Sequence, residues 1–177
     1  PPIHLATTFA QPEPGKATFE YSRSDNPTRR VLEDAVASLE GAGHAFAFAS
    51  GMAAEDAVLR ALRPGDHLIV PNDAYGGTYR LIAKVHTHLA WTAVDLLDID
   101  ALARDWPDDT ALVWLETPTN PLLRCFDIEA IAALAAENGA TTVVVGLPLS
   151  LDGGDGPAAR SVRSELKGLR RRLPGIE

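Results

Sequence analysis

The sequence is poor in several features that would define its class at once. It has a single cysteine, Cys125, so no internal disulfide can form, which suits a reducing cytoplasm. It has no apolar run near the ~20 residues of a membrane span, so no spanning helix is expected. Basic residues are scarce: 16 Lys and Arg stand against 24 Asp and Glu, a net charge of -8, which argues against nucleic acid or an anionic membrane as the main partner. The opening Pro1-Pro2-Ile3-His4 has the look of neither a signal peptide nor a basic transit segment, and without a Met it is expected to continue a chain that starts upstream. The G-x-G-x-x-G fingerprint and the Walker P-loop are both absent, which weighs against dinucleotide and ATP binding. No internal repeat and no long low-complexity stretch occurs. Metal ligation is not expected either. His86-Thr87-His88 falls in a predicted helix, where i and i+2 point to different faces. Asp95, Asp98 and Asp100 lack the EF-hand glycine and glutamate and read as a strand exit and a helix cap.

What is present is enough apolar material, 46%, for the core of one ordinary domain of 177 residues. The charge is uneven: residues 1–151 carry 10 basic and 20 acidic residues, whereas residues 152–177 carry 6 and 4. Gly153, Gly154, Gly156 and the run Arg170-Arg171-Arg172 belong to that last stretch, which is expected to be a poorly packed, solvated tail. Residues 1–25, rich in Pro, Thr and Ser, read as an extended arm. Asn26-Pro27 is a helix start, with Val31, Leu32, Ala35 and Leu39 at helical spacing and Gly41 to end it. A strand is expected over 45–49, a helix over 51–62, a buried strand over 68–70, a helix over 78–88 and a strand over 91–94. Then follow a helix over 99–106, a strand over 111–115, a helix over 128–138 closed by Gly139, and a β-branched strand over 141–145.

Strands alternating with helices imply βα units and a mostly parallel sheet. Ligands of such sheets bind beyond the carboxyl ends of the strands, which singles out three segments. In Ser50-Gly51-Met52 a glycine at a strand-to-helix junction, with free amides and a positive dipole end, suits a phosphate; the same residues would also make a routine helix start capped by Ser50. In Tyr75-Gly76-Gly77-Thr78 two glycines expose an aromatic on which a planar cofactor can stack; a turn with a half-buried Tyr is the plainer alternative. In Glu116-Thr117-Pro118-Thr119-Asn120-Pro121 two prolines stiffen a loop and would hold Glu116 and Asn120 in fixed directions; Asn120 bonded to its own backbone in a rigid turn is the alternative.

Taken in order, Tyr21-Ser22-Arg23, Asn26-Pro27-Thr28, Ser50-Gly51-Met52-Ala53-Ala54, Tyr75-Gly76-Gly77-Thr78-Tyr79 and Glu116-Thr117-Pro118-Thr119-Asn120-Pro121 form a set that resembles the Cys/Met-metabolism (transsulfuration) family of pyridoxal-phosphate (PLP) enzymes, over residues 1 to about 145. The stretch Pro71 to Arg80 is most similar to cystathionine γ-synthase, with γ-lyase close behind. The resemblance implies an α/β fold: an incomplete large domain of the aspartate aminotransferase-like, fold type I transferases, a mostly parallel sheet with flanking helices. It implies an arm over 1–25 that contacts the neighbouring subunit, a partial PLP domain over 26–145, and a non-family tail over 146–177. It further implies that Ser50, Gly51 and Met52 bind the cofactor phosphate and that Tyr75 stacks on the ring and takes part in proton transfer. Asn120 would bond the ring's phenolic oxygen with Glu116 beside it, and Tyr21 and Arg23 would reach the phosphate of the neighbouring subunit. The implied partners are homoserine esters, cysteine and cystathionine as substrates and further copies of the chain in a homodimer or homotetramer, in the cytoplasm.

The sequence departs from the family after Val145. Gly146 stands where the family carries the Asp that pairs with the pyridine nitrogen. No Ser-x-Thr-Lys segment follows; Lys167, in Ser164-Glu165-Leu166-Lys167-Gly168, reads as a surface lysine. Without the Schiff-base lysine and the family's carboxy-terminal domain, the chain is expected to be an amino-terminal fragment that is inactive alone. A parallel sheet cut short also leaves an open edge, so poor solubility is expected.

Overall fold

The computed structural model describes residues 1–139. The expected strand over 141–145, Gly146, Lys167 and the tail lie outside the described residues. The described residues divide into two compact units, 1–54 and 55–139.

In the first unit the arm is not simply extended. Thr8 and Tyr21 form an antiparallel bridge, with the Phe9 amide donating to Glu20 O at 3.3 Å and the Ser22 amide to Thr7 O at 2.9 Å. The turn between them passes through Gly15 at φ 75°, and the Phe9 and Phe19 rings meet at 5.8 Å. Helix α1, Pro27–Glu40, forms as its ends dictate. The Asn26 side chain accepts from the amides of Thr28 (2.8 Å) and Arg29 (3.4 Å), and Pro27 sits at the first position. Gly41, at φ 64°, closes it by donating to Ala37 O and Ser38 O. Val31, Leu32 and Leu39 are exposed; Ala37 is the buried apolar residue of this helix. The expected strand over 45–49 does not form. A strand needs a ladder partner, and the Ala47 amide instead donates to Glu33 Oε1 at 2.9 Å. Helix α2, Gly51–Leu59, begins in this unit and continues past Ala54; it is shorter than the 51–62 expected. Its last turn tightens into i→i−3 bonds, Ala61 to Val58 O and Leu62 to Leu59 O.

The second unit is built on three parallel strands in the order β2-β1-β3: β1 His67–Pro71, β2 Ala90–Val94 and β3 Thr110–Val113. β1 is in the middle and buried along its whole length, which is why Leu68-Ile69-Val70 reads as a continuous apolar run. The His67 ring lies between the Thr92 hydroxyl (2.9 Å) and the Thr110 hydroxyl (3.3 Å), one from each flanking strand. Trp114 carries the β3 pairing one residue further through its amide to Ile69 O, 2.8 Å. Ile69, Leu96, Leu102, Phe126 and Ile131 form the core, and Val113, Leu115 and Leu134 pack against it.

The helices differ from expectation mostly at their ends. The double glycine belongs to a helix, not to a loop end: α3 is Gly76–Arg80, with Tyr75 at its N-cap. It passes into a π-helical turn, Leu81–Val85, closed by the His86 amide on Leu81 O at 3.0 Å. Regular helix therefore does not reach His86 and His88, and the reason for setting them on different faces fails. Their ring centroids are 5.5 Å apart, with His86 Nε2 2.8 Å from Asp56 Oδ1. Helix α4, Ile99–Arg104, is capped by Asp98, and Asp95 accepts from the Leu97 amide, as the strand-exit and cap reading expects. Helix α5, Ile128–Glu137, starts at Asp127 and ends before Gly139, φ 89°. Among the described residues no helix is long and apolar enough to cross a membrane.

Candidate functional site

Because β1 and β3 are parallel neighbours, the segments leaving their carboxyl ends must lie side by side. These are Asn72–Tyr75 and Trp114–Pro121, which bring in Tyr75 and Glu116–Pro121 from two of the three segments singled out from sequence. Glu116 joins them. Its Oε2 accepts from the Tyr75 amide at 2.7 Å, and its Oε1 from the Thr78 hydroxyl at 2.6 Å and the Trp114 indole at 3.0 Å. Three such donors on one carboxylate fix its direction. Glu55 reaches the same buried Thr78. Burial pushes the Glu55 carboxyl up, and the charge on Glu116 adds to the rise. Its Oε2 has no hydrogen-bond partner among the described residues.

A second link runs parallel to the first. The hydroxyl of Thr119, fully buried, donates to Asp73 Oδ2 at 2.6 Å and accepts from the Arg124 amide at 3.1 Å. Arg124 reaches Asn72 Oδ1 (3.3 Å) and Asp95 Oδ2 (3.0 Å). The Leu97 amide and then the Arg124 guanidinium hold the Asp95 carboxyl below the usual range. The Thr117-Pro118 and Asn120-Pro121 bonds are both cis, and Leu123 takes a left-handed φ of 54° at the far side of the loop.

On this frame stand the two residues expected to meet a planar ligand. Tyr75 is 43% exposed, and among the described residues no other ring stacks on it. Asn120 is exposed and forms no hydrogen bond among the described residues, so it does not bond its own backbone. Beside α3 lies a cavity of about 420 Å³ lined by Pro71, Asn72, Gly76, Tyr79, Arg80 and Trp91; Tyr75, Glu116 and Asn120 are not in its wall.

In the first unit, Ser50 does cap a helix, its hydroxyl accepting from the Ala53 amide at 3.2 Å. Ser50 O takes the amides of Ala53 and Ala54, leaving those of Gly51 and Met52 for another acceptor. A β-carbon at Gly51 would meet nothing within 4 Å, so the approach is open. Tyr21 and Arg23 are both exposed, with the guanidinium 5.0 Å over the Tyr21 ring centroid. Within the first unit, free amides at a helix start are donors of the kind that suits a phosphate; within the second, an exposed phenol ring and an uncommitted carboxamide are groups of the kind that suits a planar ring. Sequence reading assigned no role to Thr78 and Thr119 within their motifs, nor to Asp73, Trp114 and Arg124. The signal that was available is that Glu116 and Asp73 fall just after strands of a buried sheet, where a carboxylate needs donors.

Fold and site together define a fold type I, PLP-dependent enzyme domain, present in part. The chain belongs to the Cys/Met metabolism PLP-dependent enzyme family, which it matches over residues 1–147. It is 51% identical over 148 residues to a cystathionine gamma-synthase of Mycobacterium tuberculosis, covering 81% of this chain and 38% of that one. To a cystathionine gamma-lyase of Dictyostelium discoideum it is 46% identical over 147 residues, with the same coverage of 81% and 38%. Among solved structures it is similar to the cystathionine gamma synthase of Xanthomonas oryzae pv. oryzae in complex with cystathionine. The TM-score is 0.76 at 42% identity, over 85% of this chain and 40% of that one. The chain thus spans about two fifths of the length of these relatives. The cofactor that the family implies is pyridoxal phosphate.

Proposed function

We propose that this chain is the phosphate- and ring-binding part of a transsulfuration enzyme of the cystathionine γ-synthase type, which replaces the γ-substituent of an O-acyl-homoserine with cysteine; a γ-lyase activity on cystathionine is the close relative of that reading. The observation that carries it is the placement, on the segments that leave the carboxyl ends of the parallel neighbours β1 and β3, of an exposed Tyr75 and an uncommitted Asn120, each segment anchored by a hydrogen bond to a carboxylate. When bound, pyridoxal phosphate supplies an electron sink for charge that develops at substrate carbons. The amides of Gly51 and Met52, with the Ser50 hydroxyl, hold its phosphate. Tyr75 would cover one ring face and exclude water from it, and its phenol would exchange a proton with substrate. Asn120 donates to the ring's phenolic oxygen. Tyr21 and Arg23 serve the phosphate of a neighbouring copy in a homodimer or homotetramer of the cytoplasm.

The arm over 1–25, the partial domain over 26–145 and the tail over 146–177 are the functional divisions of this reading. None of Lys16, Lys84 and Lys167 stands in a Ser-x-Thr-Lys segment, so the 177 residues bind the cofactor without turning substrate over. The test is a titration of the purified chain with pyridoxal phosphate, followed by the phosphorus resonance of the cofactor and by absorbance. Saturable binding that is weakened in Gly51→Asp is the expected result, with no covalent adduct at Lys167 after borohydride. Absence of saturable binding overturns the cofactor reading; an adduct at Lys167 overturns the non-catalytic one.

A further inference from the structure

We propose that Glu116 is a positioning residue for Tyr75: its carboxylate fixes the backbone at the start of α3, and so the direction of the Tyr75 ring, rather than touching the cofactor. This rests on the reading above that Tyr75 faces the cofactor ring. Both Glu116 oxygens are already committed inside the protein, Oε2 to the Tyr75 amide at 2.7 Å and Oε1 to Thr78 and Trp114 at 2.6 and 3.0 Å. A cofactor atom would have to displace one of these bonds. Its charge would also repel a phosphorylated ligand, so direct contact is the poorer use of the group.

Holding Tyr75, by contrast, is what the geometry provides. Tyr75 is the N-cap of α3, yet its own side chain makes no capping bond, and the ring is exposed. An exposed ring at a helix start swings with its backbone unless the backbone is held. The hold comes from 41 residues away, through a charged acceptor. Thr78, on the first turn of the same helix, is bound by the same carboxylate and is fully buried. Two points on α3 are therefore tied to one side chain at the end of β3, and Trp114 fixes that side chain in turn. Glu55, on the same Thr78, is a titratable group that faces Glu116.

Glutamine cannot reproduce this arrangement. Its carboxamide has one oxygen. Turned toward Tyr75, the oxygen leaves the Trp114 indole facing an NH2 group; turned toward Trp114, it leaves the Tyr75 amide facing one. Glu116→Gln must break one of the two.

The experiment uses the full 177-residue chain, labelled for NMR, with the indole resonance assigned by Trp114→Phe. In the unsubstituted chain the Tyr75 amide and Trp114 indole protons are expected far downfield, and added pyridoxal phosphate shifts the Tyr75 ring resonances. In Glu116→Gln one of those protons moves upfield, the ring response shrinks, and cofactor binding weakens about tenfold, the scale of one lost charge-assisted bond. A Tyr75 ring response and cofactor affinity unchanged in Glu116→Gln overturn the positioning role alone. No response of the Tyr75 ring to cofactor in the unsubstituted chain overturns the cofactor reading as well. Should Glu116→Gln not fold, Thr78→Val against Thr78→Ser carries the same test. Loss in Val with recovery in Ser supports the role; equal behaviour of the two overturns it.

Discussion

Thr119 and Asp73, 46 residues apart, are joined by a 2.6 Å hydrogen bond in which the fully buried threonine hydroxyl donates to the carboxylate. The other oxygen of Asp73, Oδ1, has no partner among the described residues, and the nearest guanidinium nitrogen, on Arg124, stands 4.0 Å from Oδ2. Thr119 is thus a much closer partner of the Asp73 carboxylate than Arg124 is. Thr119→Val keeps the shape and removes the donor, leaving a carboxylate short of partners. A cost of about 1–3 kcal/mol in urea unfolding is expected. A cost below about 0.5 kcal/mol, the ordinary range for surface changes, would mean that solvent reaches the carboxylate.

Glu55 gives a pH dependence of definite sign. Its folded pKa is raised above 4.5, first by burial, so the advantage of its neutral form is complete below 4.5 and lost as the pH rises through the folded pKa. Glu55→Gln, neutral at every pH, is expected to raise the melting temperature at pH 7 to 8 and to leave it nearly unchanged near pH 4. Melting curves across that range check it; a gain that is constant with pH would point to packing instead of charge.

Helix α1 depends on its two ends. Asn26→Ala removes the acceptor for two amides and is expected to cost about 1 kcal/mol. Gly41→Ala places a β-carbon at φ 64° and is expected to cost about 1–2 kcal/mol. Hydrogen exchange of the α1 amides reads both effects where they arise. An unchanged first turn in Asn26→Ala would contradict the cap.

If Tyr21 and Arg23 serve a neighbouring copy, this chain should enter mixed assemblies with an intact homologue. The test is co-expression with a homologue whose own arm arginine has been removed. Activity recovered by the unsubstituted chain and lost with Arg23→Ala is the expected outcome. Failure of the two chains to associate removes the proposed role of the arm.

Much of this was legible in the sequence, and the failures share a cause. Asn26, Gly41, Asp98 and Gly139 act through local geometry, so their positions alone placed the helix ends. The run Leu68-Ile69-Val70 gave a buried strand because a middle strand is apolar on both faces. The strand expected over 45–49 failed because its existence depends on a distant partner. The π-helical turn at Leu81–Val85 has no distinct pattern of its own. The site divides in the same way. Tyr75, Glu116 and Asn120 stand out by residue type and by their place after strands. The bonds that give Glu116 and Asp73 their roles come from Thr78, Trp114 and Thr119, ordinary residues whose meaning depends on which strands are neighbours.

His67 sits at the amino end of β1, bridging hydroxyls on both flanking strands, while Glu116 and Asp73 join segments at the carboxyl ends. The three strands are laced by side chains at both ends, across β1. Sequence drift in such a sheet is coupled: a change that loosens the loops also loosens the strands beneath them. Variants of this domain that alter ligand choice should therefore be found at tips such as Leu122 and Leu123, which are exposed and lie outside the lacing, far more often than at Asp73, Thr78, Glu116 or Thr119.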